Sequence, residues 1–334
     1  MFNKEMGKII SRMLGVWNGS SLIEYHFLTQ GRINLLFKVR FLSGYQYKDA
    51  ILRICVVDSG PFCQMQGREV YLQGIAQQEQ WDFFPEVYFY DESRTVIPYP
   101  FMFMEYIEGN TLQDNARAEE LFRVGKRLAK VHKVGVLSYG KNPLLQGSVS
   151  GSEYYSSFFK SAYFFCRKTD SQMADEFLKI YESYFEKEQY KGVIPSLIHH
   201  DFHSRNIMIC KDGTMKIIDW DSSRGGIPEY DFIKMKYFNR INWSNEQIKC
   251  FWDGYLTERS IHMDVNLCIY ESCWLMRMYV FECNNETTDR YYPSAEFYKD
   301  RFRAYCERFD DIQKNVRNNW RCFWNENIGS VQNG

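Results

Sequence analysis

Over the first hundred residues, apolar positions come in short runs broken by turn-forming residues, the pattern of an antiparallel sheet. Residues 22–27 (LIEYHF), 34–41 (NLLFKVRF), 50–57 (AILRICVV), 86–91 (EVYFYD) and 99–107 (YPFMFMEYI) predict five strands. One helix is expected among them, over 67–78 (GREVYLQGIAQQ), after the third strand. Ahead of the first strand, Met6, Ile9, Ile10, Met13, Leu14 and Trp17 recur at helical spacing. Lys8 and Arg12 interrupt them, so this stretch predicts an amphipathic helix and not a signal peptide.

Beyond Glu108-Gly109-Asn110 the period changes. Leu121, Val124, Leu128 and Val131 fall on one helical face, and residues 175–190 repeat the habit. Further helices are expected over 244–257, 263–283 and 294–320. The change near 107–111 divides an amino-terminal lobe, 1–107, from a helical carboxy-terminal lobe, 108–334. No Pro/Gly/Ser linker, low-complexity tract or repeat separates them. The fold class expected is α+β, a five-stranded antiparallel sheet with one inserted helix, followed by a mainly helical part.

A short β segment interrupts the helical part at 197–221, LIHHDFHSRNIMICKDGTMKIIDWD. The runs NIMIC and MKIID flank Lys211-Asp212-Gly213-Thr214, and Asp-Gly is a strong two-residue hairpin turn. With Asp212 and Gly213 as the turn, Asn206 falls opposite Asp219, and Asp201 precedes Asn206 by five residues. Three oxygen-bearing side chains in this arrangement suit Mg2+, a hard cation that takes a few protein oxygens together with phosphate. Phosphoryl transfer asks for such a set: a carboxylate to receive the proton of the attacking hydroxyl, and an Asn and an Asp to hold Mg2+ on nucleotide phosphates.

Three segments carry a family resemblance. His199-His200-Asp201-Phe202-His203-Ser204-Arg205-Asn206 is similar to H-G-D-x-x-x-x-N, Ile218-Asp219-Trp220-Asp221 to I-D-W-[DE], and residues 225–232 (GGIPEYDF) to G-D-P-x-x-D. In this order the motifs resemble those of the aminoglycoside phosphotransferase and choline kinase group, which has a protein-kinase-like fold. The resemblance implies that Asp201 is the catalytic base, that Asn206 and Asp219 hold Mg2+, and that Asp231 is structural. It also implies a nucleotide site. The turn Gln30-Gly31-Arg32-Ile33-Asn34 corresponds to the family's first turn, with Asn34 at its end. Arg53 takes the place of the nucleotide-contacting base, Glu69 of the acid that orients it, and Glu105 and Ile107 of the hinge residues that meet the base ring through the main chain. Gly31 also reads as an ordinary hairpin residue, and Arg53 with Glu69 as a structural ion pair. His200 stands where the family pattern has Gly, and Ser204-Arg205 where it has Pro-Gly, which brings a cation close to the expected phosphates. His199 and His203 are expected to orient Asp201 by hydrogen bonds; the H-E-x-x-H helix of a zinc protease is absent.

Charge and composition narrow the partners. Lys+Arg is 41 and Asp+Glu 42, a balance that argues against nucleic acid, whose binding leans on a cationic excess. Ten cysteines without a C-x-x-C read as reduced thiols of a cytoplasmic protein. No run approaches the roughly 18 apolar residues of a membrane span. Eleven residues separate Asp219 from Asp231, too few for a peptide platform, which favours a small acceptor. Residues 271–296 hold Glu271, Glu282, Glu286, Asp289 and Glu296 with Trp274, Tyr279, Tyr291 and Tyr292. Glu271 and Glu282, about three turns apart on one helix, are candidates to bind a cationic, aminoglycoside-like acceptor. The rings are candidates for a quaternary-ammonium cage, and the same stretch also reads as a solvated helix face. Two functions follow: a kinase that uses ATP or GTP to phosphorylate an antibiotic, or else choline, ethanolamine or a sugar; and a noncatalytic binding protein of the same fold.

Overall fold

A computed structural model describes residues 3–31, 33–56, 65–112, 116–140, 149–238, 243–261, 266–285 and 293–319. Along the chain run α1 (Asn3–Trp17), β1 (Ser21–Gln30), β2 (Asn34–Ser43), β3 (Gln46–Cys55), α2 (Met65–Gln78), β4 (Val87–Asp91), β5 (Phe101–Glu105) and β6 (Gly109–Thr111). Then come α3 (Ala118–His132), α4 (Gly151–Arg167), α5 (Ser171–Tyr184), β7 (Ser196–Ile198), β8 (Ile207–Cys210), β9 (Met215–Ile217) and β10 (Arg224–Gly226). The chain continues through α6 (Asp231–Phe238), α7 (Asn245–Leu256), α8 (Leu267–Asn285), α9 (Ala295–Glu307) and α10 (Phe309–Asn318). Two compact units result: Met1–Gln113 with Ser204–Ser222, and Asp114–His203 with Ser223–Gly334.

In the first unit the five expected strands form one antiparallel sheet in the order β1-β2-β3-β5-β4. Alternation along β2 and β3 buries Phe37, Val39 and Phe41 beside Ala50, Leu52 and Ile54 on one face, and α1 covers that face with Ile10, Met13 and Leu14. Trp17 closes the packing, its ring 4.8 Å from that of Phe103. An apolar sheet face requires such a cover, which accounts for the helical stripe read at the amino terminus. Because Leu14 is fully buried there, Leu14→Ala is expected to cost about 2–5 kcal/mol, read as a lower denaturant midpoint at unchanged slope. The two-residue period turns Arg53 of β3 to the opposite face from Leu52 and Ile54, toward α2.

The second unit is helical, as the change of period predicts. Leu121, Val124, Leu128 and Val131 of α3 are all buried. α3 meets α7 at backbone distance: a Cβ on Gly125 would lie 1.9 Å from the Phe251 carbonyl oxygen, and one on Gly254 1.9 Å from that of Phe122. Two features differ from expectation. The helix expected over 294–320 is two helices, α9 and α10, which meet at Arg308. α4 was not anticipated, although Ser150 and Glu153 form a reciprocal cap at its start and Tyr155, Phe159, Ala162 and Cys166 form its buried stripe. Tyr155 of α4 packs on Tyr230 and Tyr270 of this unit, whose rings stack 3.8 Å apart. This aromatic cluster lies beneath the β7–β10 pair, since Tyr155 accepts the Ile227 N–H just after β10.

Candidate functional site

In the first unit, β3, α2 and the chain after β9 converge on one guanidinium. Arg53 is 5% exposed and donates to Glu69 Oε1 at 3.2 Å and to Asp221 Oδ1 at 2.5 Å. Asn34 Nδ2 donates to Asp221 Oδ2 at 3.2 Å, and Arg68 donates to the Asp221 carbonyl oxygen at 2.7 Å. Trp220, stacked against Trp81 and tilted against Phe84, gives its main-chain N–H to Glu69. Asn34, Arg53 and Glu69, expected from resemblance as one nucleotide group, are thus brought together, and the residue that ties them is Asp221. In the sequence Asp221 is only the last position of a motif, and the packing of β3 against α2 cannot be read from spacing.

This cluster is short of positive charge. Burial works against Arg53, yet Glu69, Asp221 and Asp219 together hold it firmly protonated. Burial pushes the Glu69 carboxyl up to about 7; Arg53 opposes this while Asp221 and Asp219 reinforce it. Three carboxylates, Glu69, Asp221 and Asp219, act on Arg53, with Arg68 at the Asp221 main-chain carbonyl, and a divalent cation would further offset their negative charge. Among the described residues no three His, Cys, Asp or Glu side chains form a closed metal cage. Mg2+ takes one or two protein oxygens and completes its shell with phosphate and water, and the exposed Asp219 carboxylate is a donor of that kind.

The β8–β9 hairpin departs from the expected register. Ile207 pairs with Ile217, Met208 with Lys216 and Ile209 with Met215, while Gly213 N–H donates to the Cys210 carbonyl. The loop is Lys211-Asp212-Gly213, three residues and not two, with Gly213 at φ 81° and the Asp212 carboxylate accepting from Thr214 N–H. A left-handed glycine at the third loop position absorbs the extra residue as a bulge. The slip sets Asn206 opposite Ile218, whose N–H donates to the Asn206 carbonyl at 2.9 Å. Asp219 comes one residue later, exposed and at φ 62°, a region L-residues seldom occupy and Asp tolerates better than most. Asn206 itself is buried. Of the expected hinge residues, Glu105 gives its N–H to the Glu86 carbonyl, and its carboxylate accepts from Lys216 at 2.8 Å. Ile107, just past β5, has no hydrogen bond to another described residue.

In the second unit, residues 199–203 run from the end of β7 and are held by one acid. Asp231 accepts from the main-chain N–H of His199 at 2.7 Å and of His200 at 2.6 Å, and lies 3.0 Å from His132 Nε2. A carboxylate only accepts, so Nε2 of His132 carries the proton and its Nδ1 accepts from the Tyr255 hydroxyl at 2.8 Å. His200 adopts φ 64°, which explains how it stands at a glycine position of the motif: histidine is among the side chains enriched in that region. Asp201, its side chain 25% exposed, pairs through Oδ1 with Lys234 and, at 3.3 Å, with His203 Nε2. Its own N–H donates to His199 Nδ1. Burial raises the Asp201 carboxyl, but Lys234 and His203 outweigh it and hold the group far below the usual carboxylate range. Asp201 is therefore ionised at neutral pH. His199 and His203 serve it as hydrogen-bond partners.

The buried imidazoles set a pH dependence of stability. Burial pushes His132 down, more than Asp231 pulls it up, and pushes His200 well down, helped by Arg224, Lys234 and Arg277. Both are neutral in the folded chain. Once pH falls below about 6.5 the unfolded chain takes up protons that the folded chain refuses, so stability is lost toward acid. The urea midpoint is expected to be lower at pH 5.5 than at pH 7.5, with His132→Gln reducing the difference.

The acids expected to meet a cationic acceptor lie elsewhere. Glu271 is 0% exposed and its oxygens accept from Lys236 at 2.6 Å, Tyr237 at 2.6 Å and Tyr305 at 3.0 Å. Glu282 is also buried, as are Trp274 and Tyr279. An eleven-residue spacing gives a common helix face but not which way that face turns, and here it turns into the packing against α9. Glu286, Asp289, Tyr291 and Tyr292 lie outside the described residues. No described helix is long and apolar enough to cross a membrane.

Residues 72–264, more than half of the chain, match the family model of the phosphotransferase enzyme family, APH. No curated protein matches the sequence. Among solved structures, spectinomycin phosphotransferase APH(9)-Ia in complex with ADP and spectinomycin is similar at 13% identity, over 94% of this chain and 98% of that one, with a TM-score of 0.59. Choline kinase LicA from Streptococcus pneumoniae is similar at 14% identity over 91% and 99%, TM-score 0.62. A thermostable mutant of aminoglycoside phosphotransferase APH(4)-Ia, in ternary complex with ADP and hygromycin B, is similar at 16% identity over 91% and 98%, TM-score 0.59. The fold is the kinase-like one that the motifs imply.

Proposed function

Because the chain belongs to the phosphotransferase enzyme family, we propose that it transfers the γ-phosphoryl group of ATP, or of GTP, to a hydroxyl of a small acceptor. The observation that carries this reading is Asp201: an ionised carboxylate held by Lys234 and His203, on a loop that Asp231 fixes through two main-chain hydrogen bonds. Positioning of this kind is most of what a protein supplies to phosphoryl transfer.

In the reaction the acceptor oxygen attacks the γ-phosphorus, the bond to the β-bridging oxygen breaks, and the hydroxyl proton passes to an oxygen of Asp201. A carboxylate with so low a proton affinity orients the hydroxyl first and takes its proton late. Asn206 and Asp219 would hold Mg2+, which when bound neutralises charge on the phosphates. Arg53, Glu69, Asn34 and Asp221 keep the floor of the nucleotide site in place, and Ile107, with Glu105 before it, would meet the base ring.

An antibiotic acceptor draws support from relatives that act on spectinomycin, and choline from LicA. Purified protein with Mg·ATP or Mg·GTP, tested against aminoglycosides, other hydroxylated antibiotics, choline, ethanolamine and sugars, should release ADP or GDP in an acceptor-dependent way. Nucleotide binding with no acceptor-dependent release across the panel would favour the noncatalytic alternative.

A further inference from the structure

The charge around Asp201 within the second unit has the wrong sign for a cationic acceptor. His200 Nε2 lies 2.9 Å from the Tyr270 hydroxyl, and Tyr270 stacks on Phe158 of α4 at 5.3 Å. The Arg277 guanidinium sits 4.6 Å over that Phe158 ring. One turn earlier on α4, the Tyr154 hydroxyl accepts from Arg224 at 3.1 Å, and its ring is 6.4 Å from that of Phe158. Lys234 pairs with Asp201 itself. The charges that bear most on the His200 ring, besides Asp201, are the cations Arg224, Lys234 and Arg277. Of the two acids on the helix that carries Arg277, Glu271 is neutralised by Lys236 in the core and Glu282 is buried. Arg277 is exposed and makes no ion pair with a described carboxylate.

We propose, on the premise of the kinase reading, that the acceptor carries an anionic oxygen group, carboxylate or phosphate-like, held by Arg277 with Arg224, and an apolar part that rests on Phe158 and Tyr154. A guanidinium lying over an aromatic ring keeps its fork of donors in one plane, the geometry that grips two oxygens of an anion. Arg224, Lys234 and Arg277 outnumber the carboxylates Asp201 and Asp231 here and disfavour a polyamine, and Arg224 and Lys234 are partly shielded from water, where charges are less screened than at an open surface. The subsite selects by charge, and the hydroxyl is left to Asp201.

A series on one hydroxymethyl-benzene frame that varies the charge of the second group tests this: 4-(hydroxymethyl)benzoate, 4-(hydroxymethyl)benzylphosphonate, 1,4-benzenedimethanol and 4-(aminomethyl)benzyl alcohol. By calorimetry on the full chain with Mg·ADP, at least one anion should bind at least tenfold more tightly than the amine, and the stronger of the two anions tells carboxylate from phosphate recognition. Arg277→Glu should abolish or reverse that order, and Arg277→Lys should keep most of it. Tighter binding of the amine, no binding of either anion, or an order unmoved by Arg277→Glu in a variant of wild-type melting temperature would overturn the assignment. ADP formation with the same series separates this from the kinase reading. Turnover of the amine in preference to the anions overturns the subsite alone. Anion binding without turnover of any acceptor, here or in the wider panel, keeps the subsite and overturns the phosphotransferase.

Discussion

Asp201→Asn is expected to lower acceptor-dependent turnover about 100-fold or more while the affinity for Mg·ATP stays nearly unchanged. The substitution keeps the shape of the side chain and removes its ability to take a proton, worth about 10²–10⁴ in rate for a positioned base. The loop should stay in place, because its anchors are main-chain bonds to Asp231, not bonds made by Asp201's carboxylate. Lys234 loses its ionised partner, so a change in melting temperature is to be measured alongside turnover. Steady-state rates with calorimetric nucleotide binding give both quantities, and wild-type turnover in a folded variant would remove Asp201 from the chemistry.

Asp219→Ala is expected to weaken Mg2+-dependent ATP binding about tenfold and to reduce turnover about 100-fold, since it deletes one of two protein oxygens assigned to the metal. Binding of ATP without Mg2+ should change little. The left-handed backbone at Asp219 complicates the alanine variant, because alanine in that region costs roughly 1–2 kcal/mol. Asp219→Asn tolerates the same backbone and removes only the charge, so it should reproduce the loss of Mg2+ dependence with less effect on stability. An unaltered Mg2+ dependence in both variants would place the metal on other residues.

Much of the architecture was legible because the two periods of apolar residues are clean. Val39 and Leu52 alternate as strand residues must, and Leu121, Val124, Leu128 and Val131 recur as one face of a helix. α4 escaped because its aromatic residues run together: Phe164 and Phe165 are exposed, so composition hides the stripe of Tyr155, Phe159, Ala162 and Cys166. The serine-glutamate cap at 150 and 153 would have disclosed it. The motifs name Asp201, Asn206 and Asp219 as candidates by chain order alone. Loop length, which decides register, was misread by one residue because Asp-Gly serves both two- and three-residue loops. Asp221 and Lys234 gained their roles only from tertiary contacts, Asp221 beneath Arg53 and Lys234 against Asp201. Glu271 shows the converse: a suggestive acid whose charge the fold consumes through Lys236 and two tyrosine hydroxyls.

The most direct test of the phosphotransferase account is mass spectrometry of reactions run with ATP labelled with oxygen-18 at the γ-phosphate, wild type beside Asp201→Asn. The account predicts an acceptor phosphomonoester carrying the label, formed mole for mole with ADP, at a rate about 100-fold lower in the variant. Labelled inorganic phosphate as the sole product across the acceptors, or labelled acceptor formed equally fast by Asp201→Asn, would contradict it.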